Sequence, residues 1–149
     1  RLLWQEHGQR LSAAARARPS AAAPMASSLA KHRYFTVVAT MGAMDSSAGV
    51  SNVLRSRALD QLGEVGLGRL NPVVRFFDGA TRTCVVRVDR GSAKHLPALL
   101  GGGARVVAAS GSLRACKRRT LATLRRRHKA ANIRDRALER MEAALRKLH

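Results

Sequence analysis

The stretch Asn71–Arg90, NPVVRFFDGATRTCVVRVDR, limits the possible folds more than any other part of the chain. Two runs rich in β-branched and aromatic residues are separated by Asp78-Gly79. Such runs favour strands. Asp-Gly between them signals a hairpin, because glycine accepts the positive φ of a tight turn. The pattern does not fix the register of the pair.

The flanking segments supply what a hairpin needs to become a domain. RYFTVVAT, Arg33–Thr40, is short, β-branched and aromatic, and reads as a strand bounded by Lys31 and Gly42. After GAMDSS, where Asp45, Ser46 or Ser47 can cap, Val50, Val53, Leu54 and Leu62 recur at helical spacing up to Gly66. GSAKHLPALLGGG predicts a short helix from Ser92 that is irregular near Pro97, since proline removes a backbone donor. ARVVAAS, Ala104–Ser110, is a fourth strand. The order βαββαβ predicts an α+β, ferredoxin-like sandwich.

Two further helices are expected at the C-terminal end. From Leu113 to His128 the apolar positions Leu113, Cys116, Leu121 and Leu124 gather on one side. In the last segment Ile133, Ala137, Met141, Ala144 and Leu148 form a stripe, with Asn132 as N-cap and Glu142 and Arg146 an i, i+4 pair on a solvated face.

One domain over residues 31–149 with a tail over 1–30 suits a chain of 149 residues. The first 24 residues are rich in Ala, Arg and Ser, and Met25 reads as an ordinary start, so the tail is expected to be upstream sequence or poorly ordered. An Arg-rich, acid-poor leader also resembles an organellar transit peptide. No apolar run approaches the roughly 20 residues that cross a bilayer, so no membrane association is expected. Cys84 and Cys116 lie far apart and read as reduced core thiols, and the five histidines show no zinc spacing.

Charge narrows the function. Twenty-eight Lys and Arg against nine Asp and Glu give a formal net charge of +19, which opposes folding by self-repulsion unless a polyanion neutralises it. Nucleic acid is the expected polyanion; a membrane-binding helix would want more aromatics. Ser110-Gly111-Ser112 stands at the start of a helix that carries Arg114, Lys117, Arg118, Arg119, Arg125, Arg126, Arg127 and Lys129 without an acid. The Ser-Gly-Ser corner accounts equally for a helix cap and for a phosphate site at a helix N-terminus, and the two are compatible. Like charges one turn apart repel, so the acid-free basic run favours RNA backbone contact over a merely solvated face.

KHRYF, FFDGATRTCVVRVDR and VVAASGSLRACKRRTL together resemble the processing-of-precursors-five protein subunit of archaeal and eukaryotic ribonuclease P and ribonuclease MRP. That family's Ser-Gly-Thr-Ile-Arg pattern is similar to Ser110, Gly111, Ser112, Leu113 and Arg114. The resemblance covers about residues 31 to 125. It implies a ferredoxin-like fold and a non-catalytic subunit that binds the catalytic RNA and supports removal of the 5′ leader from precursor tRNA. In MRP it implies rRNA processing. It further implies a larger TIM-barrel protein partner, Mg²⁺ held by the RNA and not by the protein, and a place in the nucleus and nucleolus. Lys31, His32 and Arg33 become candidate RNA contacts beside Ser110, Gly111, Ser112, Arg114, Lys117, Arg118, Arg119, Arg125 and Arg126.

Two other classes stay in view. A ribosomal or other structural RNA-binding protein shares the charge. An autonomous metal-dependent nuclease would want clustered carboxylates, which the scattered Asp and Glu do not suggest. The central strands TRTCVVRV lack aromatics, and the pairs Phe76-Phe77 and Tyr34-Phe35 each offer at most one outward ring. Base stacking on an open sheet is therefore not expected. Val86 and Val88 need cover, which predicts that the sheet and first helix are buried on the partner.

Overall fold

In the computed structural model, which describes residues 31–40, 42–132 and 135–149, the β-rich runs form one antiparallel sheet. β1 is His32–Ala39, β2 Val73–Asp78, β3 Thr83–Asp89 and β4 Ala104–Ser110, in the order β2-β3-β1-β4. With α1 (Ser47–Leu70) after β1 and α2 (Leu96–Leu100) after β3, this is the ferredoxin-like arrangement of an α+β fold. The expected tail over residues 1–30, and Ile133, lie outside the described residues.

The hairpin forms, but Gly79 does not supply the positive φ. Arg82 does, at 53°, closing a turn over residues 79–82. Asp78 organises that turn: its carboxylate accepts from Ala80 N at 3.3 Å and from Thr81 Oγ1 at 2.5 Å. The register is Val74 opposite Val86 and Phe77 opposite Cys84, with Arg75 an extra residue at a bulge.

Alternation along the strands sends two sets of side chains to two layers. Phe35, Val37, Cys84, Val86 and Val88 join Val50, Leu54, Leu96 and Leu99 in one core under α1 and α2. Val86 and Val88 are thus fully buried within the chain, so the expectation that a partner must cover them is corrected. Tyr34, Phe76 and Val85 face the other way, into a second core with Cys116 and Leu124 of α3 (Leu113–Ala130) and Leu138, Met141, Leu145 and Leu148 around α4 (Asp135–Arg146). Each Phe of the adjacent pair therefore serves one layer.

Helix boundaries show where local signals mislead. Ser46 caps α1, accepting from Gly49 N at 3.0 Å. The helix does not end at Gly66 but breaks at Gly63, φ 70°, and resumes to Leu70, with Asn71 in the left-handed conformation beyond it. Pro97 sits in the first turn of α2, where its missing N–H costs no helical bond. Asn132 has φ 53° and donates to Lys129 O at 3.2 Å. It closes α3 and does not cap α4, because an N-cap needs extended backbone. The stripe of α4 is also displaced from expectation: Leu145 is buried and Ala144 exposed.

Candidate nucleic-acid interface

β4 ends on Ser110, only 4% exposed, and the chain turns through Gly111 into Ser112. Ser112 has extended backbone, and its Oγ accepts from Ala115 N at 3.3 Å, so the cap reading holds. Arg119 pins the corner from the next turns of α3, donating through Nη1 to Ala109 O at 2.5 Å and to Ser110 Oγ at 3.4 Å. Arg33 lies over it: a methyl group on Gly111 would stand 3.7 Å from Arg33 Nη1.

The antiparallel ladder brings the start of β1 to the same end of the sheet. Lys31, His32, Arg33 and Gly111 line a recess of about 390 Å³ together with Arg90. Arg90 extends the β1–β3 ladder by one bond, its N donating to Lys31 O at 2.7 Å. His32 Nδ1 stands 3.1 Å from Asp89 Oδ1, which orients the imidazole within the recess. Next to the corner, Ser112, Arg114, Ala115 and Arg118 line a second recess of about 300 Å³. The structure thus gathers residues some 80 positions apart. Among the described residues Lys31, Arg33, Arg90, Arg114 and Arg118 have no ion-pair partner.

Of the remaining candidates, Lys117 and Arg125 are held by contacts with α4. Lys117 Nζ donates to Arg146 O at 3.0 Å and to Leu148 O, tying down the end of α4. Arg125 grips Glu142 through Nε at 2.7 Å and Nη2 at 3.3 Å. These bonds hold the Glu142 carboxyl below its ordinary range, despite the opposing effect of burial. They also keep Arg125 more firmly protonated. Arg126 donates to Ala122 O at 3.3 Å and faces the β4 side of α3.

The seat of α3 is unusually polar. Thr36 and Thr120 share a buried hydrogen bond of 2.7 Å, with the Cys116 thiol 3.8 Å from each hydroxyl. At its far end His128 Nε2 meets Asp78 Oδ2 at 3.0 Å, with both side chains almost fully buried. Beside it Arg127 Nε donates to Thr81 O at 3.2 Å. Sequence reasoning passed over His128, although Cys116, Thr120, Leu124 and His128 form an unbroken i, i+4 row that marks it as inward-facing. Arg90 was also missed, because only the strand register reveals it.

Burial pushes the Cys84 thiol up to about 12. It also raises Cys116, against hydrogen bonds from Thr120 and Thr36 and the charge of Arg119. Both thiols are buried, which disfavours the reactive thiolate. Among the described residues no three His, Cys, Asp or Glu side chains come together as a metal site, and no helix is long and apolar enough to cross a membrane.

What the end of the sheet offers is unpaired positive charge in shallow recesses beside a helix N-terminus, chemistry suited to phosphate. No curated protein sequence matches the chain. The family model described as Rpp14/Pop5 matches residues 30–121, from the start of β1 into α3, and includes both recesses. With well over half of its length matched and the ferredoxin-like strand order in place, the chain belongs to the Rpp14/Pop5 family of ribonuclease P/MRP protein subunits.

Proposed function

We propose that the chain grips the catalytic RNA of its ribonucleoprotein through Lys31, Arg33, Arg90, Arg114 and Arg118, and supports 5′-leader removal from precursor tRNA without supplying a catalytic group. The observation that carries this reading is the meeting of Lys31–Arg33, Arg90 and Gly111–Arg118 at one end of the sheet. Five cations with no carboxylate partner there repel one another until an anion is bound. A folded RNA provides phosphates along such a face, and contacts of this kind position the protein without reading sequence.

In this reading precursor tRNA meets the protein only through the particle, and Mg²⁺ ions held by the RNA do the chemistry. Where the RNA is that of ribonuclease MRP, the substrate is precursor rRNA. The site of action is the nucleus and nucleolus. The larger TIM-barrel subunit docks on α1, where Leu59 and Val65 remain 46% and 68% exposed, since strands β1 to β3 are covered by helices on both faces.

The test is the salt dependence of binding to ribonuclease P RNA. Each phosphate neutralised by a cation adds roughly 0.7 to 0.9 to the log–log slope. Changing Lys31, Arg33, Arg90, Arg114 and Arg118 together to Gln flattens the slope by that amount for every one of them that meets a phosphate, and leaves the circular-dichroism spectrum intact. An unchanged slope would overturn the assignment of this face. Cleavage of precursor tRNA by the protein and Mg²⁺ without RNA subunit would replace it with the nuclease reading. Co-purification with ribosomal RNA alone would point to a ribosomal role.

A further inference from the structure

The layer formed by α3 and α4 does not cover the whole sheet. Its core takes residues from β1, β2 and β3 and none from β4. On β4 the side chains of Arg105 and Val107 are therefore exposed, with Val107 at 41%. A bulge explains part of this. Thr36 pairs with Ala108 and Val37 with Val106, which leaves Val107 without a partner across the ladder.

Val107 and Arg105 form a recess of about 160 Å³ with Val38, Thr123, Arg126 and Arg127. Three of the six lining residues are arginines, none is acidic, and the floor is aliphatic. Arg105 has no hydrogen-bond or ion-pair partner among the described residues, Arg126 donates only within its own helix, and Arg127 is fixed by Thr81 O. This side of α3 contrasts with the α4 side, where Glu142 meets Arg125.

From the aliphatic floor, the guanidinium rim and the absence of acid, we infer that this β4-edge recess is a second RNA contact, one that takes an unstacked base of a single-stranded segment with its phosphates on Arg105 and Arg126. The recess is smaller than the roughly 300 Å³ at which pockets for whole small molecules begin, and a flat base needs less room. Guanidinium planes substitute for the aromatic rings on which single-stranded RNA usually stacks. The charge favours a polyanion, and the apolar floor favours an exposed base over a duplex, whose bases are already stacked. The inference rests on the RNA-binding reading above and adds the class of RNA and a separate place for it.

The experiment compares a short oligouridylate with a hairpin stem of equal phosphate count, each titrated with the full chain by fluorescence anisotropy. The Arg105→Gln/Val107→Thr variant, and Arg105→Gln alone as a milder change, are run beside Arg114→Gln/Arg118→Gln, with thermal midpoints as a folding control. A fall in oligouridylate affinity of roughly fivefold in the β4-edge variants, toward the low end of what one stacked base contributes, with stem binding little changed, is the expected result. An equal fall on both probes would reduce the recess to bulk charge and overturn the inference. So would stronger displacement of oligouridylate by a Glu-rich peptide than by unlabelled oligouridylate, which would assign the recess to a protein segment. If only Arg114→Gln/Arg118→Gln weakens binding, this inference fails and the RNA-binding reading stands. If no variant changes binding to either probe, both fail.

Discussion

The two layers on either side of the sheet are built on different principles. Under α1 and α2, sixteen buried apolar residues form one core; under α3 and α4, the buried apolar set among the described residues is five. The second layer adds hydrogen bonds that the first lacks, Thr36 to Thr120 and Asp78 to His128. An apolar layer is stabilised by area and tolerates sliding, whereas paired buried polar groups fix one position and are costly to separate. The difference teaches that the basic helix is placed by specific polar contacts, several of them made by its own cations, while Arg114 and Arg118 stay exposed and face outward.

The largest effects should come from opening each layer through the interaction that dominates it. Asp78→Ala leaves His128 Nε2 and Thr81 Oγ1 without their acceptor in a buried site, and is expected to cost about 1–3 kcal/mol for each group left unpaired. Leu54→Ala in the apolar core should cost about 2–5 kcal/mol, depending on how far the cavity collapses. Urea unfolding measures both. A cost below about 1 kcal/mol for Asp78→Ala would break the contrast between the layers, because so small a value is that of an ordinary exposed pair.

A finer test uses the threonine pair. Thr120→Val should cost about 1–3 kcal/mol by leaving the buried Thr36 hydroxyl with only the weak Cys116 thiol contact, while Thr36→Val together with Thr120→Val should recover most of it. Additive losses in the double variant would show that packing, not the hydrogen bond, seats α3. Ser112→Ala comes next, at about 1 kcal/mol from removal of the helix cap, read as a drop in thermal midpoint.

The smallest effect belongs to the exposed rim. The Glu142 carboxyl titrates below its ordinary value of 4.5 because Arg125 bonds its charged form. Its pKa is depressed in the folded state, so the contribution is complete above the unfolded value and fades as pH falls through the folded one. Stability measured from neutral pH into the acid should therefore lose this increment below about 4.5 in the parent chain. Glu142→Gln should lack it throughout, and identical pH profiles would remove Arg125 from the account of what holds α4.

Much of the fold was legible because strand composition and turn chemistry are local. β4 falls on ARVVAAS, β1 within a residue of its expected start, and the hairpin on Asp78-Gly79. The physical reason for the hairpin was only half right, since Asp78 acts through its carboxylate and Arg82 takes the positive φ. Glycine misled at the end of α1, where packing of Leu67 and Leu70 carries the helix past Gly63 and Gly66. In α4 the alanines blur the period, so the stripe was set on Ala144 and not on Leu145.

Of the candidate site, the corner and the basic helix were legible because they are contiguous in sequence. The membership of Arg90 was not, since it depends on strand register. Nor was the internal engagement of Lys117, Arg119 and Arg125, which depends on where α4 and the end of β4 come to lie. Periodicity says which side of a helix turns inward, but not which neighbour it will meet.

The pairing of β1 with both β3 and β4 also governs timing. The strand that carries Lys31–Arg33 meets its last partner only after β4 has been made, roughly seventy residues later. Contacts so distant along the chain close late, because loop entropy must be overcome before they stabilise anything. The recess that joins Arg33 to Gly111 therefore does not exist in a partly synthesised chain. A growing polypeptide presents its positive charge long before it presents that charge in its final arrangement, which arrives together with the completed sheet.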